Sequence, residues 1–328
     1  MYKPDRYRYE RLPYDRLGLS GLQVAPLSLG LWHNFGGTAS YENCREMVLG
    51  SFDLGITHFD LANNYGPPPG SAETMLGKIL QSDLQPYRNE LLIATKAGYD
   101  MWPGPYGNFG SRKYLLASLD DSLQRLGVDY VDIFYHHRPD PQTPVEETMM
   151  ALDSAVRSGK ALYVGLSNNN ATQLKAARTV LKELRTPFVV NQVRYNMFDR
   201  TAELEMVQTA EVLGIGLFVY SPLAQGLLTD KYLNGIPADS RASGKSIFLN
   251  REDITSEVIQ KIRALSRLAA TRGQSLAQLA LAFILRHSSV SSVIIGASNL
   301  TQIQDCYRVV ENLILTPREL EEIDLILQ

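Results

Sequence analysis

The chain contains 328 residues, of which 45% are hydrophobic and 20% charged, so it is long enough to bury a large apolar core. Its formal net charge of -3 offers no basic surface to a nucleic-acid partner. It contains no run of about eighteen apolar residues, which predicts no membrane-spanning helix and no membrane partner.

The N-terminal residues 1–13 form a polar extension without the apolar core of a signal peptide, so we expect a cytoplasmic protein. We interpret residues 1–328 as one domain, because barrels of alternating strands and helices are long. The two cysteines, Cys44 and Cys306, lie far apart and lack the spacing of metal ligands. This predicts two buried, reduced thiols and no metal site.

Glycines repeatedly separate a helical pattern from a short apolar run. Gly55, Gly127, Gly159 and Gly214 each stand just before such a run. A glycine just past a helix readily adopts the left-handed conformation that ends it. Repeated units of helix, glycine and strand indicate a parallel sheet.

The apolar runs predict eight strands in chain order. They are Leu27–Leu31, His58–Ala62, Leu91–Lys96, Val131–Tyr135, Tyr163–Ser167, Val189–Val193, Leu217–Tyr220 and Ser292–Gly296. Eight strands separated by helical segments predict an α/β fold, the (β/α)8 TIM barrel. Before them, residues 16–24 alternate around Ser20-Gly21 and predict a β-hairpin that covers the amino end of the barrel.

Two predicted loops are longer than the other connections. Residues 99–110 follow the third barrel strand, and residues 224–250 follow the seventh. Loops of this length inside a compact domain usually serve function. Residues 275–287 and 300–312 predict amphipathic helices that pack against the barrel, and no G-x-G-x-x-G segment supports a doubly wound dinucleotide fold.

Four titratable side chains lie where a predicted strand gives way to a loop. Asp60, Lys96 and His137 end their apolar runs, and Tyr65 follows on the loop after Asp60. Strand ends in a parallel barrel share one face, which is where such barrels carry out chemistry. A tyrosine beside a lysine, an aspartate and a histidine forms a proton-donating set suited to the reduction of a carbonyl group.

Four motifs, in this order, resemble the aldo-keto reductase family over nearly the whole chain from about Tyr14 onward. They are the segments 55–66, 65–73, 98–107 and 221–228. Leu61, at a position where the family usually has Thr or Ser, matches the subgroup of potassium-channel β-subunits and bacterial L-glyceraldehyde 3-phosphate reductases. The second of these classes is the more similar.

The resemblance implies a role for each residue of the proton-donating set. Tyr65 is similar to the family's general acid, which requires help because a free tyrosine has a pKa of about 10. Lys96 is expected to lower that pKa, and Asp60 to hold Lys96. His137 is expected to bond the substrate carbonyl, whereas channel β-subunits carry Asn there. The neighbouring His136 is expected to point to the other face of its strand.

The resemblance also implies NADP(H) as the cofactor. Ser167, Asn168 and Gln192 match residues that bond the nicotinamide carboxamide, and Tyr220 matches the aromatic residue stacked on the ring. The N-terminal amides of the last helix of the barrel are expected to bind a phosphate. The other expected contacts are Trp32, Asp60, Ser221, Pro222, Leu223, Gln225, Gly226, Lys231, Arg241, Gly296, Ser298 and Gln302.

We expect a small aldehyde as the substrate, held by Trp32, Tyr65, Trp102 and His137. The aromatic loop 99–110 begins beside Lys96, so Trp102 and Tyr106 are expected to wall the pocket. The implied reaction is NADPH-dependent reduction of L-glyceraldehyde 3-phosphate, methylglyoxal or another short aldehyde. Resemblance to the subgroup also implies a homo-oligomer.

Two other functions remain open at this stage. A lysine at a barrel strand end also suits a Schiff-base aldolase, which would form a covalent bond through Lys96. The chain could instead be a non-catalytic, cofactor-binding regulatory subunit like the channel β-subunits. His137 and the phosphate-binding loops argue against these alternatives.

Overall fold

A closed barrel of eight parallel strands forms the centre of the protein. The computed structural model describes residues 2–233, 235–237, 241–243 and 249–328, and the side chain of Arg241 lies outside that description. The barrel strands are β3 Leu27–Gly30, β4 His58–Asp60, β5 Leu92–Ala97, β6 Val131–His136, β7 Ala161–Ser167, β8 Phe188–Arg194, β9 Gly216–Tyr220 and β10 Val290–Ile295. Each pairs with its sequence neighbour, and β10 closes the ring against β3. The predicted (β/α)8 barrel and all eight predicted strands are confirmed.

Helices surround the barrel. They are α1 Tyr41–Asp53, α2 Ser71–Ile79, α3 Arg112–Leu126, α4 Val145–Arg157, α5 Ala171–Glu183, α6 Thr201–Leu204, α7 Met206–Leu213, α8 Ser256–Thr271, α9 Leu276–Leu285, α10 Leu300–Tyr307 and α11 Pro317–Leu327. The two predicted C-terminal helices correspond to α9 and α10, and α11 follows them. Gly127 and Gly214 end α3 and α7 in the left-handed conformation, as their positions predict.

The predicted hairpin forms from β1 Asp15–Arg16 and β2 Gln23–Val24. Leu17 and Val24 are buried in a small apolar cluster with Leu92 and Phe218, which lie inside the barrel near the start of their strands. The hairpin therefore covers the amino end of the barrel, because its apolar side chains complete the core there.

The inside of the barrel has two layers, which we name by their residues. The lower layer consists of Ser28, His58, Leu92, Phe218 and Ser292, all buried. The upper layer, toward the carboxyl ends of the strands, consists of Asp60, Lys96, Tyr135 and Gln192, all buried. In these two layers the charged side chains, Asp60 and Lys96, therefore lie where the strands give way to loops.

Within the described residues, no single helix is long and apolar enough to cross a membrane. The pair α8 and α9 passes the length and composition criteria together, but the two helices are bent by 85°. In the same part of the chain, no group of three or more His, Cys, Asp or Glu side chains is arranged to hold a metal ion.

Candidate active site

The four predicted catalytic residues lie together at the carboxyl end of the barrel. Asp60 is the last residue of β4, Lys96 lies near the end of β5, and His137 directly follows β6. Tyr65 lies on the loop after β4, and its ring is 5.9 Å from that of His137. This agrees with the expectation that the ends of parallel strands bring these side chains onto one face.

Lys96 is the centre of the cluster and is completely buried. Its Nζ donates to Asp60 Oδ2 at 2.6 Å, to the Leu61 carbonyl oxygen at 2.6 Å and to the Tyr65 hydroxyl at 3.4 Å. Burial lowers the pKa of Lys96, and the neighbouring Asp60 carboxylate opposes that effect. The three acceptors direct the ammonium protons, so that one of them points at the phenol oxygen of Tyr65.

Tyr65 is held as a protonated phenol. Burial raises the pKa of Tyr65 well above 10, and the negative charge of Asp60 adds to the effect. The predicted lowering of this pKa by Lys96 would oppose the effect of burial, and it stays a prediction. A phenol that accepts a bond from Lys96 keeps its own proton available for donation, which is the protonation state a general acid needs.

His137 is neutral at physiological pH. Burial lowers its pKa well below 6.5, and the positive charge of Lys96 acts in the same direction. Its Nδ1 is buried and has no hydrogen-bond partner among the described residues. A buried N–H without an acceptor is costly, so we place the proton on Nε2. A neutral imidazole with Nε2–H can donate to a carbonyl oxygen without taking the proton from Tyr65.

The residues predicted to bond a nicotinamide carboxamide form one polar network with the four predicted catalytic residues, which we call the catalytic set. Gln192 Nε2 donates to Asp60 Oδ1 at 2.8 Å, and Ser167 Oγ donates to the Gln192 carbonyl oxygen at 3.1 Å. The Tyr220 hydroxyl donates to Asn168 Oδ1 at 2.8 Å, while Asn168 Nδ2 donates to the His137 carbonyl oxygen at 3.1 Å. The structure thus brings these four residues together beside the catalytic set.

The loop after β9 carries five of the predicted cofactor contacts on one tight turn. Ser221 and Gln225 are joined by a bond of 3.1 Å from Gln225 Nε2 to Ser221 Oγ, and both have positive φ angles, 53° and 61°. Pro222, Leu223 and Gly226 complete the turn. Non-glycine residues in this backbone region store strain, which is concentrated at binding sites in folded proteins. Six of the seven such residues in the described part of the chain lie in loops at the carboxyl end of the barrel.

The structure does not place two of the predicted cofactor contacts, Lys231 and Arg241, at the site. Lys231 lies in the short helix Asp230–Tyr232 with an exposed side chain, and its backbone N–H donates to Thr229 Oγ1 at 3.2 Å. The side chain of Arg241 lies outside the described residues. Their predicted contact with a cofactor phosphate stays a prediction.

The remaining predicted phosphate contacts lie at the start of α10. Gln302 Oε1 accepts from the Ser298 backbone N–H at 2.9 Å, and Asn299 Oδ1 accepts from the Gln302 N–H at 3.0 Å. A Cβ added to Gly296 would meet no atom within 4 Å, so the backbone here borders open space. An anion can approach this helix N-terminus closely.

The residues predicted to wall the substrate pocket differ in where they lie. Trp32 stacks on Tyr65 with ring centroids 5.9 Å apart. Trp102 packs on Tyr114, at 5.2 Å. Tyr106 is 54% exposed and lies beneath Lys113, so its ring faces solvent. Their contact with a substrate stays a prediction.

Sequence reasoning missed Tyr99, which is the aromatic residue of this loop nearest to the catalytic set. Its ring meets that of His137 edge-on at 4.7 Å, and the Arg138 guanidinium covers its other side at 4.3 Å. The available signal was its position directly after Gly98, at the end of the strand that carries Lys96. His136 faces away from the site as predicted, because it lies beside Gly110 and Thr148 on the helix side of β6.

Comparisons with known proteins give a consistent result. A model described as the aldo/keto reductase family matches residues 26–328. The L-glyceraldehyde 3-phosphate reductase of Escherichia coli (strain K12) is 50% identical over 321 residues, which cover 97% of this chain and 93% of that protein. Probable voltage-gated potassium channel β subunits of Oryza sativa subsp. japonica and Arabidopsis thaliana are 36% and 37% identical over 324 residues, with 97% of each chain covered.

Proposed function

Since the chain belongs to the aldo/keto reductase family, we propose that it reduces small aldehydes with NADPH, using Tyr65 as the general acid. The observation that carries the proposal is the arrangement around Lys96, which is completely buried and bonded to both Asp60 and Tyr65. This arrangement can deliver one proton, from a phenol, at the carboxyl end of the barrel.

The chain's own groups account for the proton half of the reaction. A reduced nicotinamide supplies the hydride to the carbonyl carbon when it is bound. The His137 Nε2–H and the Tyr65 hydroxyl bond the carbonyl oxygen and polarise it. As negative charge develops on that oxygen, Tyr65 transfers its proton there, and Lys96 stabilises the phenolate left behind. The product is an alcohol, and Tyr65 regains its proton from solvent.

The polar groups at the carboxyl end suit a nicotinamide dinucleotide. Ser167, Asn168 and Gln192 would hold the carboxamide, and the Tyr220 ring would cover one face of the nicotinamide. The turn from Ser221 to Gly226 and the open backbone at Gly296 suit the phosphates. The proposed preference for NADPH over NADH rests on Lys231 and Arg241, two cations in the sequence after β9 that could bind a 2′-phosphate.

The proposed substrates are short aldehydes. The relative that is 50% identical is named for L-glyceraldehyde 3-phosphate, which supports that compound as the first to test, followed by methylglyoxal. The rings of Trp32 and Tyr99 lie against Tyr65 and His137, and we propose that they limit the size of the substrate. We further propose that the protein acts in the cytoplasm as a homo-oligomer.

The regulatory-subunit function is a second candidate, because the plant relatives are named as probable channel β subunits. His137 favours the reductase, since it supplies a second donor to the carbonyl oxygen. The aldolase is disfavoured by geometry: the Lys96 Nζ donates to three oxygens and has no free lone pair for attack on a carbonyl carbon.

Steady-state rates over a panel of aldehydes, with NADPH and with NADH, test the proposal. We expect turnover of small aldehydes with NADPH, and a 10²–10⁴-fold lower kcat for Tyr65→Phe, which keeps the ring and removes the proton donor. NADPH binding, followed by fluorescence, should survive in this variant. Turnover retained within about threefold would remove Tyr65 from the mechanism, and no turnover by the unaltered protein would favour the regulatory function.

A further inference from the structure

Glu73 is a second buried carboxylate near Lys96, besides Asp60. It lies in the first turn of α2 and has no exposed surface. The Thr95 hydroxyl donates to its Oε1, and Arg125 Nε on α3 donates to its Oε2 at 2.7 Å. Both oxygens of the carboxylate are therefore held by partners from different elements.

These contacts connect Glu73 to both Lys96 and Tyr65, which we call the acid pair. Thr95 directly precedes Lys96 in β5, and adjacent strand residues point to opposite faces, so Glu73 holds the strand from outside while Lys96 points inward. The helix that carries Glu73 begins just after the Tyr65 loop, and the Ala72 N–H donates to the Tyr65 carbonyl oxygen at 3.4 Å. A shift of Glu73 would therefore change the 3.4 Å separation between Lys96 Nζ and the Tyr65 hydroxyl.

We propose that Glu73 is a positioning residue of the proposed reductase site, which fixes Lys96 through Thr95 and places a negative charge behind that lysine. The inference rests on the proposed function, because it concerns the same proton transfer. It adds a residue outside the barrel to a site otherwise built from residues inside it.

The negative charge of Glu73 acts on Lys96. A nearby negative charge favours the ammonium form of a lysine. The electrostatic influence of Glu73 on Lys96 acts in this direction. The titratable and charged groups that surround the pair from the packed elements are His58, Asp60, Tyr99, Arg125, Tyr135, His137 and Tyr220. Of these, Asp60 is the carboxylate in direct contact with Lys96.

A second triad of the same chemistry lies elsewhere in the fold and provides a control. Asp153 on α4 accepts from Thr186 Oγ1 at 2.7 Å and from Arg157 Nε at 2.6 Å. Thr186 lies just before β8, at the amino end of the barrel and so away from the catalytic face. If a threonine–carboxylate–arginine triad only joins helix to strand, the two triads should respond alike to loss of charge.

The test compares Glu73→Gln with Asp153→Asn by the pH profile of aldehyde reduction. For Glu73→Gln we expect the alkaline limb of kcat to move to lower pH by about 0.5–1 unit, because loss of the negative charge makes Lys96 easier to deprotonate. We expect kcat at neutral pH to fall several-fold, with KM and the Kd for NADPH within about twofold. Asp153→Asn should leave the limb in place.

An alkaline limb that coincides with that of the unaltered protein, or that moves equally in both variants, would overturn the inference. If Glu73→Gln does not fold, Thr95→Val tests the positioning step, since it removes one hydrogen bond and leaves the pair of Glu73 and Arg125 intact. We then expect kcat to fall about three- to tenfold at unchanged KM, and a kcat within twofold of the unaltered protein overturns the inference. Absence of any turnover by the unaltered protein overturns the proposed function, and this inference with it.

Discussion

The two layers inside the barrel are equally buried, yet one contains charge and the other does not. In the lower layer His58 donates or accepts one bond with Ser28 Oγ at 2.8 Å, and burial lowers its pKa to about 4. It is therefore neutral at physiological pH. In the upper layer Lys96 starts from an ordinary pKa of 10.5 instead of 6.5, and it has the carboxylate of Asp60 at 2.6 Å.

This difference shows that burial alone does not decide the protonation state of a group. Burial disfavours the charged form of both side chains, and only Lys96 has a counter-charge in contact. The upper layer also lies where the strands end, so loops can supply Tyr65 and His137 beside it. The lower layer is closed by Leu17 and Val24 of the hairpin and has only a packing role.

Asp60→Asn is expected to have the largest effect on the difference between the layers. It removes the counter-charge of Lys96 and leaves that lysine, like His58, buried without an opposite charge in contact. We expect a loss of about 3–5 kcal/mol in the free energy of unfolding, measured by urea denaturation, together with a large loss of kcat. The double variant Asp60→Leu with Lys96→Met should regain most of the stability without activity. A double variant as unstable as the single one would mean that the pair is needed for folding itself.

The second-largest expected effect concerns the stability of the lower layer at acid pH. Because the folded pKa of His58 is below its unfolded value of about 6.5, the unfolded state binds more protons between pH 6.5 and 4. His58 thus contributes stability that is complete above pH 6.5 and is lost as the pH falls toward 4, by about 1.4 kcal/mol per pH unit. His58→Phe should remove the contribution of His58 to the slope measured by urea denaturation at stepped pH, and leave those of the other buried histidines. An unchanged slope would assign the acid sensitivity to other buried groups such as His136, whose pKa burial also lowers to about 4.

The smallest expected effect concerns the pocket wall beside the upper layer. Tyr99 meets His137, whereas Trp102 packs on Tyr114. Tyr99→Leu should therefore raise KM for a three-carbon aldehyde a few-fold and improve the relative use of larger aromatic aldehydes. Trp102→Ala is expected to act in the same direction more weakly. Equal substrate rankings in both variants and the unaltered protein would show that other segments wall the pocket.

Much of the fold was predictable because its pattern is local. Four of the strands are short apolar runs after a glycine, and most helices have their own amphipathic period, so eight strands and their parallel arrangement followed without tertiary information. The catalytic set was predictable for a related reason: Asp60, Lys96 and His137 lie at or next to strand ends, and parallel strands bring such ends to one face.

Other properties of the site depended on distances between segments far apart in sequence. The raised pKa of Tyr65 follows from burial that the sequence does not specify. The orientation of loop 99–110, with Tyr99 inward and Tyr106 outward, is set by contacts with His137, Arg138 and Lys113. The sequence pattern favoured Trp102 as the residue of the pocket wall, because composition does not show which side of a loop faces a pocket.

The sequence by itself determined the barrel, the residues at its carboxyl end and the kind of chemistry that they can perform, because strand period and strand ends are properties of short segments. The tertiary structure alone decided which buried groups have a partner, and therefore their protonation state. It alone placed Glu73 on the outer side of the strand that carries Lys96. Those depend on desolvation and on contacts between elements many residues apart, such as the bond from Arg125 to Glu73 across 52 positions of the chain.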